Sequence, residues 1–349
     1  MTVQTLYLDH AATTPPLPAA REAVAEGMAI WANPSSPHAA GRAARAALED
    51  ARARIKAALA WPGEMVFTSG ASEAIATALQ RACMPLAATS AVEHDAVLRL
   101  AGDAVRLPVD AEGTIAPTDA ALAGLVAVQH VNSETGVIQP LTETARAVRE
   151  AGGVLLADCA QSAGKIALPE ADLIAIAAHK FGGPVGIGAL LVRDWALLRP
   201  SGGQERGYRP GTENLPAALG MAAALEAGNA WLGEAARLRA MLDRGVAASG
   251  GEVIPASAPR IATIASYRLP GVAATVQLIR FDAMGIAVSA GSACSSGSLK
   301  PSHVLSAMGL DAGTASQVIR VSIGRETSEA DIARFLDAWR SIAGRRAAA

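Results

Sequence analysis

Four short stretches constrain this chain most: 125–129 (LVAVQ), 154–158 (VLLAD), 173–177 (LIAIA) and 189–192 (ALLV). A strand with one wet face alternates apolar and polar residues. These runs are apolar nearly end to end, as expected of strands covered on both faces. The stretch 65–69 (MVFTS) also reads as a strand. Helical segments fall at 39–60, 71–83 and 141–151, with Arg45 and Glu49 spaced i, i+4 on a solvated face of the first. Alternating β and α predicts an α/β fold whose sheet is mostly parallel and covered by helices. The segment between 177 and 189 is too short for a crossover helix, so 189–192 is expected to run antiparallel.

Beyond these elements the pattern changes. One helical region is predicted over 214–248, then strands near 252–255 and 260–266 and helices near 273–284 and 328–343. That is the composition of a smaller α+β unit. The 349 residues are 51% hydrophobic, enough for two cores and too apolar for disorder. Net charge is −2 with both signs mixed, so no basic stripe points to nucleic acid. The three cysteines, Cys83, Cys159 and Cys294, are scattered; they form neither a disulfide framework nor a CxxC metal pattern. A reducing cytosol is the simplest compartment. The opening MTVQTLYLDH lacks the features of a signal peptide, and no run reaches the roughly 18 apolar residues of a membrane span. A soluble cytoplasmic protein is expected.

Several polar residues stand where a parallel sheet presents its ligands, beyond the carboxyl ends of strands. Asp158 ends the run 154–158, and Gln161 follows it. Alone, Asp158 reads equally as a turn residue or helix cap. Lys180 follows the run 173–177 through His179 and precedes the glycine-rich FGGPVGIG. A desolvated lysine there can form a Schiff base, while a surface lysine can snorkel. In TSGASEA (68–74) the amides of Ala71 and Ser72 open a helix and attract phosphate; the alternative is a plain turn with Ser72 as cap. His94 carries little weight alone. Cys294 lies in a Ser/Gly-rich stretch, 289–298, with no bulky residue, which favours a movable segment over core. Cys159 and Cys83 read as packing residues.

In order along the chain, YLDHAATT (7–14), NPSSPHAAGR (33–42), FTSGASEA (67–74), EHDAV (93–97), VNSETGVIQP (131–140), DCAQSAGK (158–165), HKFGGPVGIG (179–188), GGQERGYRPGTEN (202–214), SAGSACSSGS (289–298), LKPSHVL (299–305) and IRVSIGR (319–325) resemble the blocks of the cysteine desulfurases. These are class V, fold-type I enzymes that use pyridoxal 5'-phosphate (PLP). The GSAC stretch within this Ser/Gly-rich segment is similar to the group with a long cysteine loop. The resemblance implies a large domain over 11–235 with a seven-stranded, mostly parallel sheet. It implies a small α+β domain formed by 1–10 and 236–349, carrying the cysteine loop.

The resemblance also implies roles. Lys180 would hold the cofactor covalently, Asp158 would pair with its pyridine nitrogen, and Gln161 would bond its phenolate oxygen. His94 would stack on the ring and move a proton at the substrate thiol. Ala71, Ser72 and His179 would hold the phosphate, joined by Thr212 across a homodimer interface. Arg320 would clamp the substrate carboxylate, with Asn33 lining the same pocket. Cys294 would take sulfur from L-cysteine as a persulfide, releasing L-alanine, and pass it to an acceptor such as an iron–sulfur scaffold protein. Two positions depart from the pattern. Ser133 replaces an asparagine that contacts cofactor or substrate, and Ala177 removes a phosphate hydroxyl. One charge-assisted hydrogen bond is worth about 1.5–3 kcal/mol, so somewhat weaker PLP retention is expected. A class V aminotransferase, a selenocysteine lyase or a non-catalytic descendant are the competing readings.

Overall fold

The computed structural model describes residues 5–291 and 302–344. Twelve strands occur among them. The first eight are β1 (Leu6–Tyr7), β2 (Glu64–Thr68), β3 (Leu86–Ser90), β4 (Val105–Leu107), β5 (Leu125–Gln129), β6 (Val154–Asp158), β7 (Leu173–Ala177) and β8 (Gly188–Val192); then come β9 (Glu252–Ile254), β10 (Ile264–Arg268), β11 (Ile286–Ala287) and β12 (Val318–Ser322). The helices are α1 (Pro18–Ile30), α2 (Ala39–Ala58), α3 (Ala71–Arg81), α4 (Asp95–Leu98), α5 (Leu141–Glu150), α6 (Leu215–Glu226), α7 (Leu232–Ala248), α8 (Ala274–Ala283), α9 (His303–Ala307), α10 (Ala312–Ala315) and α11 (Glu329–Gly344). None of the described helices is long and apolar enough to cross a membrane.

Seven strands form one sheet in the order β2-β8-β7-β6-β5-β3-β4. The pairs from β7 through β4 are parallel, and β8 runs antiparallel to both of its neighbours, as the short connection requires. Every residue of β5, β6, β7 and β8 is buried. Alternate side chains supply two cores. Val126, Val128, Leu155, Ile174, Ile176 and Leu191 face a cluster with Leu48 and Ile55 of α2 and Met221 of α6. Leu125, Ala127, Leu156, Leu173, Ala175 and Leu190 face Ile75 and Ala78 of α3. A third core gathers Leu238 and Leu242 of α7, Tyr267 of β10, Ile319 and Val321 of β12, and Phe335 and Trp339 of α11. Leu6 and Leu8 from the N-terminus join it, because β1 pairs with β11.

The predicted single helix over 214–248 is instead α6 and α7, separated at 227–231. Gly228 takes a left-handed φ of 68°, and its carbonyl accepts from Arg325 Nη2 at 2.6 Å. Cys83 is exposed, correcting its reading as a packing residue: α3 ends at Arg81 and the thiol falls past the helix. Cys159 is fully buried, as expected.

A buried ion pair anchors the segment that carries Thr212. Glu205 and Arg206 both adopt left-handed φ, 49° and 58°, strained for non-glycine residues. Glu205 is held by Arg52 Nη1 and Nη2, each at 2.8 Å, and by the Phe67 amide at 2.7 Å. Arg52 Nη1 also donates to the Met65 carbonyl. Removing one partner leaves the other charge buried alone. Arg52→Ala is therefore expected to cost about 3–5 kcal/mol, read as a lower urea midpoint; an unchanged midpoint would contradict this account.

Candidate functional site

Six strands of the large sheet point the same way, and the polar residues cluster at their carboxyl ends. β2 leads into Ser69-Gly70 and α3, β3 into Glu93-His94, β5 into Asn132-Ser133-Glu134, β6 ends in Asp158, and β7 runs into His179-Lys180. Sheet register sets Gln129 beside Asp158 and Asp158 beside Ala175. The β2–α3 turn is drawn against β8 because a Cβ on Gly188 would lie 2.7 Å from Gly70 Cα. Gly70 adopts φ 155° with open space on its Cβ side.

Lys180 Nζ donates to the carbonyls of Ala11 at 2.7 Å and Ala12 at 2.9 Å. Gln161 Nε2 donates to the same Ala11 carbonyl at 2.9 Å. Asp158 Oδ1 accepts from the Ala160 amide at 2.9 Å. His179 Nδ1 lies 3.3 Å from Thr13 Oγ1. Arg320 Nη2 pairs with Asp9 at 2.8 Å, and its Nη1 donates to the Ser133 carbonyl at 3.0 Å.

These contacts set the charges. Burial, reinforced by Arg320 and opposed by Asp158 and Asp9, lowers the Lys180 amine from its ordinary 10.5 to about 8. Deprotonation therefore begins well below the pH at which an ordinary lysine loses its proton. Burial raises the Asp158 carboxyl, while the Ala160 amide, His94 and Lys180 pull it back. His94 caps α4, taking the Ala96 amide on Nδ1 at 3.1 Å, and keeps an accessible face. Desolvation lowers its pKa, with Asp158 opposing and Lys180 adding. His179 falls to about 4 through burial and the nearby Lys180 and Lys165.

The expected residues are not all brought together. Lys180, Asp158, His94 and Arg320 act on one another electrostatically, and Gln161 shares a carbonyl with Lys180. Ala71 and Ser72 open α3, whose N-cap is Gly70 with no capping side chain, so Ser72 is not the cap. Ser133 meets Arg320 through its backbone. Asn33 is exposed, and its Oδ1 accepts the Ser35 amide in a local turn. Thr212 is exposed, without a hydrogen bond to this cluster. Cys294 lies outside the described residues. Residues given no role from the sequence also belong here: Asp9, the Ala11 and Ala12 carbonyls, and the buried Lys165, whose amine is lowered to about 7 by desolvation and by Lys180. The block YLDHAATT held that signal without showing what it would touch.

An aromatic phosphate cofactor fits these residues. Gln161 Nε2 gives one hydrogen to the Ala11 carbonyl and has a second, which suits a phenolate oxygen. The uncapped α3 amides offer donors to an anion. Lys180 would offer an amine to an aldehyde, and Asp158 a carboxylate to a ring nitrogen. A cavity of about 770 Å³ lies elsewhere, along 58–63 and 166–171; it shares Gly164 and Lys165 with a 20 Å³ cavity beside Lys180. Volume alone would misplace the site.

Known proteins place the chain independently. The aminotransferase class-V family model matches residues 6–335. An IscS-like cysteine desulfurase from Mycobacterium tuberculosis is 38% identical over 370 positions, covering 95% of this chain and 94% of that one. Among solved structures, a NifS-like protein superimposes with a TM-score of 0.87 at 30% identity, covering 97% and 99% of the two chains. Another, described as SspA in complex with cysteine, gives 0.79 at 28%, covering 93% and 100%.

Proposed function

Because this chain belongs to the class-V aminotransferase family and, within it, to the cysteine desulfurases, we propose that it acts on L-cysteine with PLP held on Lys180, and that Cys294 accepts the sulfur. The observation that carries this reading is the place of Lys180 just past β7, where its amine donates to the Ala11 and Ala12 carbonyls, shares the first with Gln161, and stands one strand from Asp158 at the end of β6. A solved relative that carries cysteine supports the substrate.

PLP, when bound, supplies an electron sink that makes the substrate Cα proton removable. Asp158 strengthens that sink from the ring-nitrogen side. Gln161 offers its amide to the phenolate oxygen. Ala71, Ser72 and His179 hold the phosphate. Arg320, tethered to Asp9 and Ser133, has a buried Nε without a partner among the described residues and meets the substrate carboxylate. Lys180 moves the proton at Cα, and His94 moves one at the substrate thiol. Cys294 attacks the substrate sulfur as a thiolate; the sulfur–carbon bond breaks with its electron pair left on the carbon side, protons returned to Cβ and Cα complete alanine, and Cys294 keeps the sulfur as a persulfide.

We assign the large domain to 11–235 and the small one to 1–10 and 236–349; the separate core of β10, β12, α7 and α11 supports this division. The exposure of Thr212 supports a homodimer in which that residue reaches the partner's phosphate. An iron–sulfur scaffold as acceptor and a cytoplasmic location complete the reading. Ser133 and Ala177 leave PLP held somewhat less tightly.

Incubating the protein with PLP and L-cysteine tests the proposal. A visible absorption band and alanine formed in step with persulfide are the expected results; a keto acid product points to transamination, and a colourless protein contradicts the reading. The neutral amine is the form that attacks an aldehyde. The rate of PLP uptake should therefore rise with pH and level off above about 8; a rate still climbing towards 10.5, the ordinary lysine value, would count against a depressed Lys180.

A further inference from the structure

Glu134 lies in the turn after β5 and is 5% exposed. Its backbone is tied on both sides. The amide donates to Asn132 Oδ1 at 2.9 Å, and the carbonyl accepts from Ser266 Oγ of β10 at 2.9 Å. The side chain faces the C-terminal part of the chain. Ser302 Oγ donates to Glu134 Oε2 at 2.6 Å. A Cβ on Gly291 would lie 1.9 Å from that same oxygen, so only glycine allows this approach. Gly291 stands three positions before Cys294, and Ser302 eight positions after it.

Both flanks are fixed further out. Before Gly291, Ser289 exchanges backbone hydrogen bonds with Arg320. After it, Ser302 Oγ accepts the Leu305 amide at 3.1 Å and so caps α9, while His303 Nε2 lies 2.9 Å from the Glu93 carbonyl. The residue beside Glu134, Ser133, holds Arg320 through its carbonyl. One carboxylate oxygen therefore touches both flanks of the Cys294 stretch, and the adjoining peptide touches the arginine of the substrate site. A buried carboxylate costs desolvation that a leucine of similar size avoids. What it supplies in exchange is direction: a hydrogen bond fixes the Ser302 flank, and a compact polar tip leaves room for Gly291.

We propose that Glu134 is a positioning residue for the sulfur-accepting cysteine, setting both flanks of the Cys294 stretch in register with Arg320. This rests on the reading of Cys294 as the acceptor. A displacement of about 1 Å in a reacting group costs roughly 100-fold in rate, which sets the scale of the effect expected when the flanks lose their anchor.

Single-turnover measurements on PLP-loaded protein test this. L-Cysteine is added, the change in cofactor absorbance is followed, and persulfide on Cys294 is quantified by mass spectrometry. In Glu134→Ala and in the milder Ser302→Ala, persulfide formation is expected to slow about 10- to 100-fold while the absorbance change stays within about twofold of wild type. Glu134→Gln keeps an acceptor oxygen and is expected to recover most of the loss. Wild-type persulfide rates in both Glu134→Ala and Ser302→Ala overturn the proposal; so does equal slowing of both steps, the signature of a merely structural role. Cys294→Ala in parallel tests the underlying reading separately: sulfide release undiminished in that variant removes the acceptor itself, whatever Glu134 does.

Discussion

Lys180→Ala is expected to lower L-cysteine turnover on the order of 10²- to 10⁴-fold, the range for losing a positioned proton-transfer group, and to remove the visible band of lysine-linked PLP. The argument starts from the amine's surroundings. Among the described residues its hydrogen bonds go only to the Ala11 and Ala12 carbonyls. Both are loop carbonyls, and Ala11 keeps its bond from Gln161 when the amine is lost. The fold should therefore survive, and circular dichroism should match wild type. Arg320, Asp158 and His94 keep their places, so substrate and PLP can still meet the site without covalent attachment. Absorbance and turnover unchanged in Lys180→Ala would transfer the role elsewhere, and Lys165 would be the nearest candidate: it is buried, shares a cavity with Lys180, and has an amine lowered to about 7.

Cys294→Ser is expected to keep the yellow colour and lose persulfide formation and sulfide release, again by on the order of 10³-fold or more, since a serine hydroxyl is a far weaker nucleophile at its free pKa. The other two thiols are poor substitutes for different physical reasons. Cys159 is fully buried, and desolvation pushes its thiol well above the usual range, so the reactive thiolate is suppressed. Cys83 is exposed, but it lies past the far end of α3, whose N-terminus opens at the site. With a rise of about 1.5 Å per residue, that places it roughly 18 Å from Ala71. Persulfide found on Cys83 or Cys159 in wild-type protein, or sulfide release persisting in Cys294→Ser, would reject the assignment.

Much of the architecture was legible before any coordinates. The runs 125–129, 154–158 and 173–177 match β5, β6 and β7 residue for residue, and the antiparallel β8 follows from the length of its connection. Strands buried on both faces carry an unmistakable local signature. Strands with mixed composition do not. β3 (LAATS) contains small and polar residues, and in β12 (VIRVS) Arg320 interrupts the apolar pattern. The gap between α6 and α7 depends on one glycine conformation and on a Gly228 carbonyl that accepts from Arg325, neither visible in helical periodicity.

By itself the chain's order of residues determined which elements form, that the sheet is covered on both faces, and that Asp158, His179 and Lys180 stand at strand ends, because hydrophobic period and connection length act over a few residues. Tertiary structure alone decided the chemistry of those groups. Lys180 meets Ala11 across 169 positions, and Arg320 meets Asp9 across 311. Desolvation and Coulombic coupling depend on distance through space, so the lowered lysine, the paired arginine and the carboxylate between Gly291 and Ser302 exist only once the N-terminus, the large sheet and the C-terminal core have closed on one another.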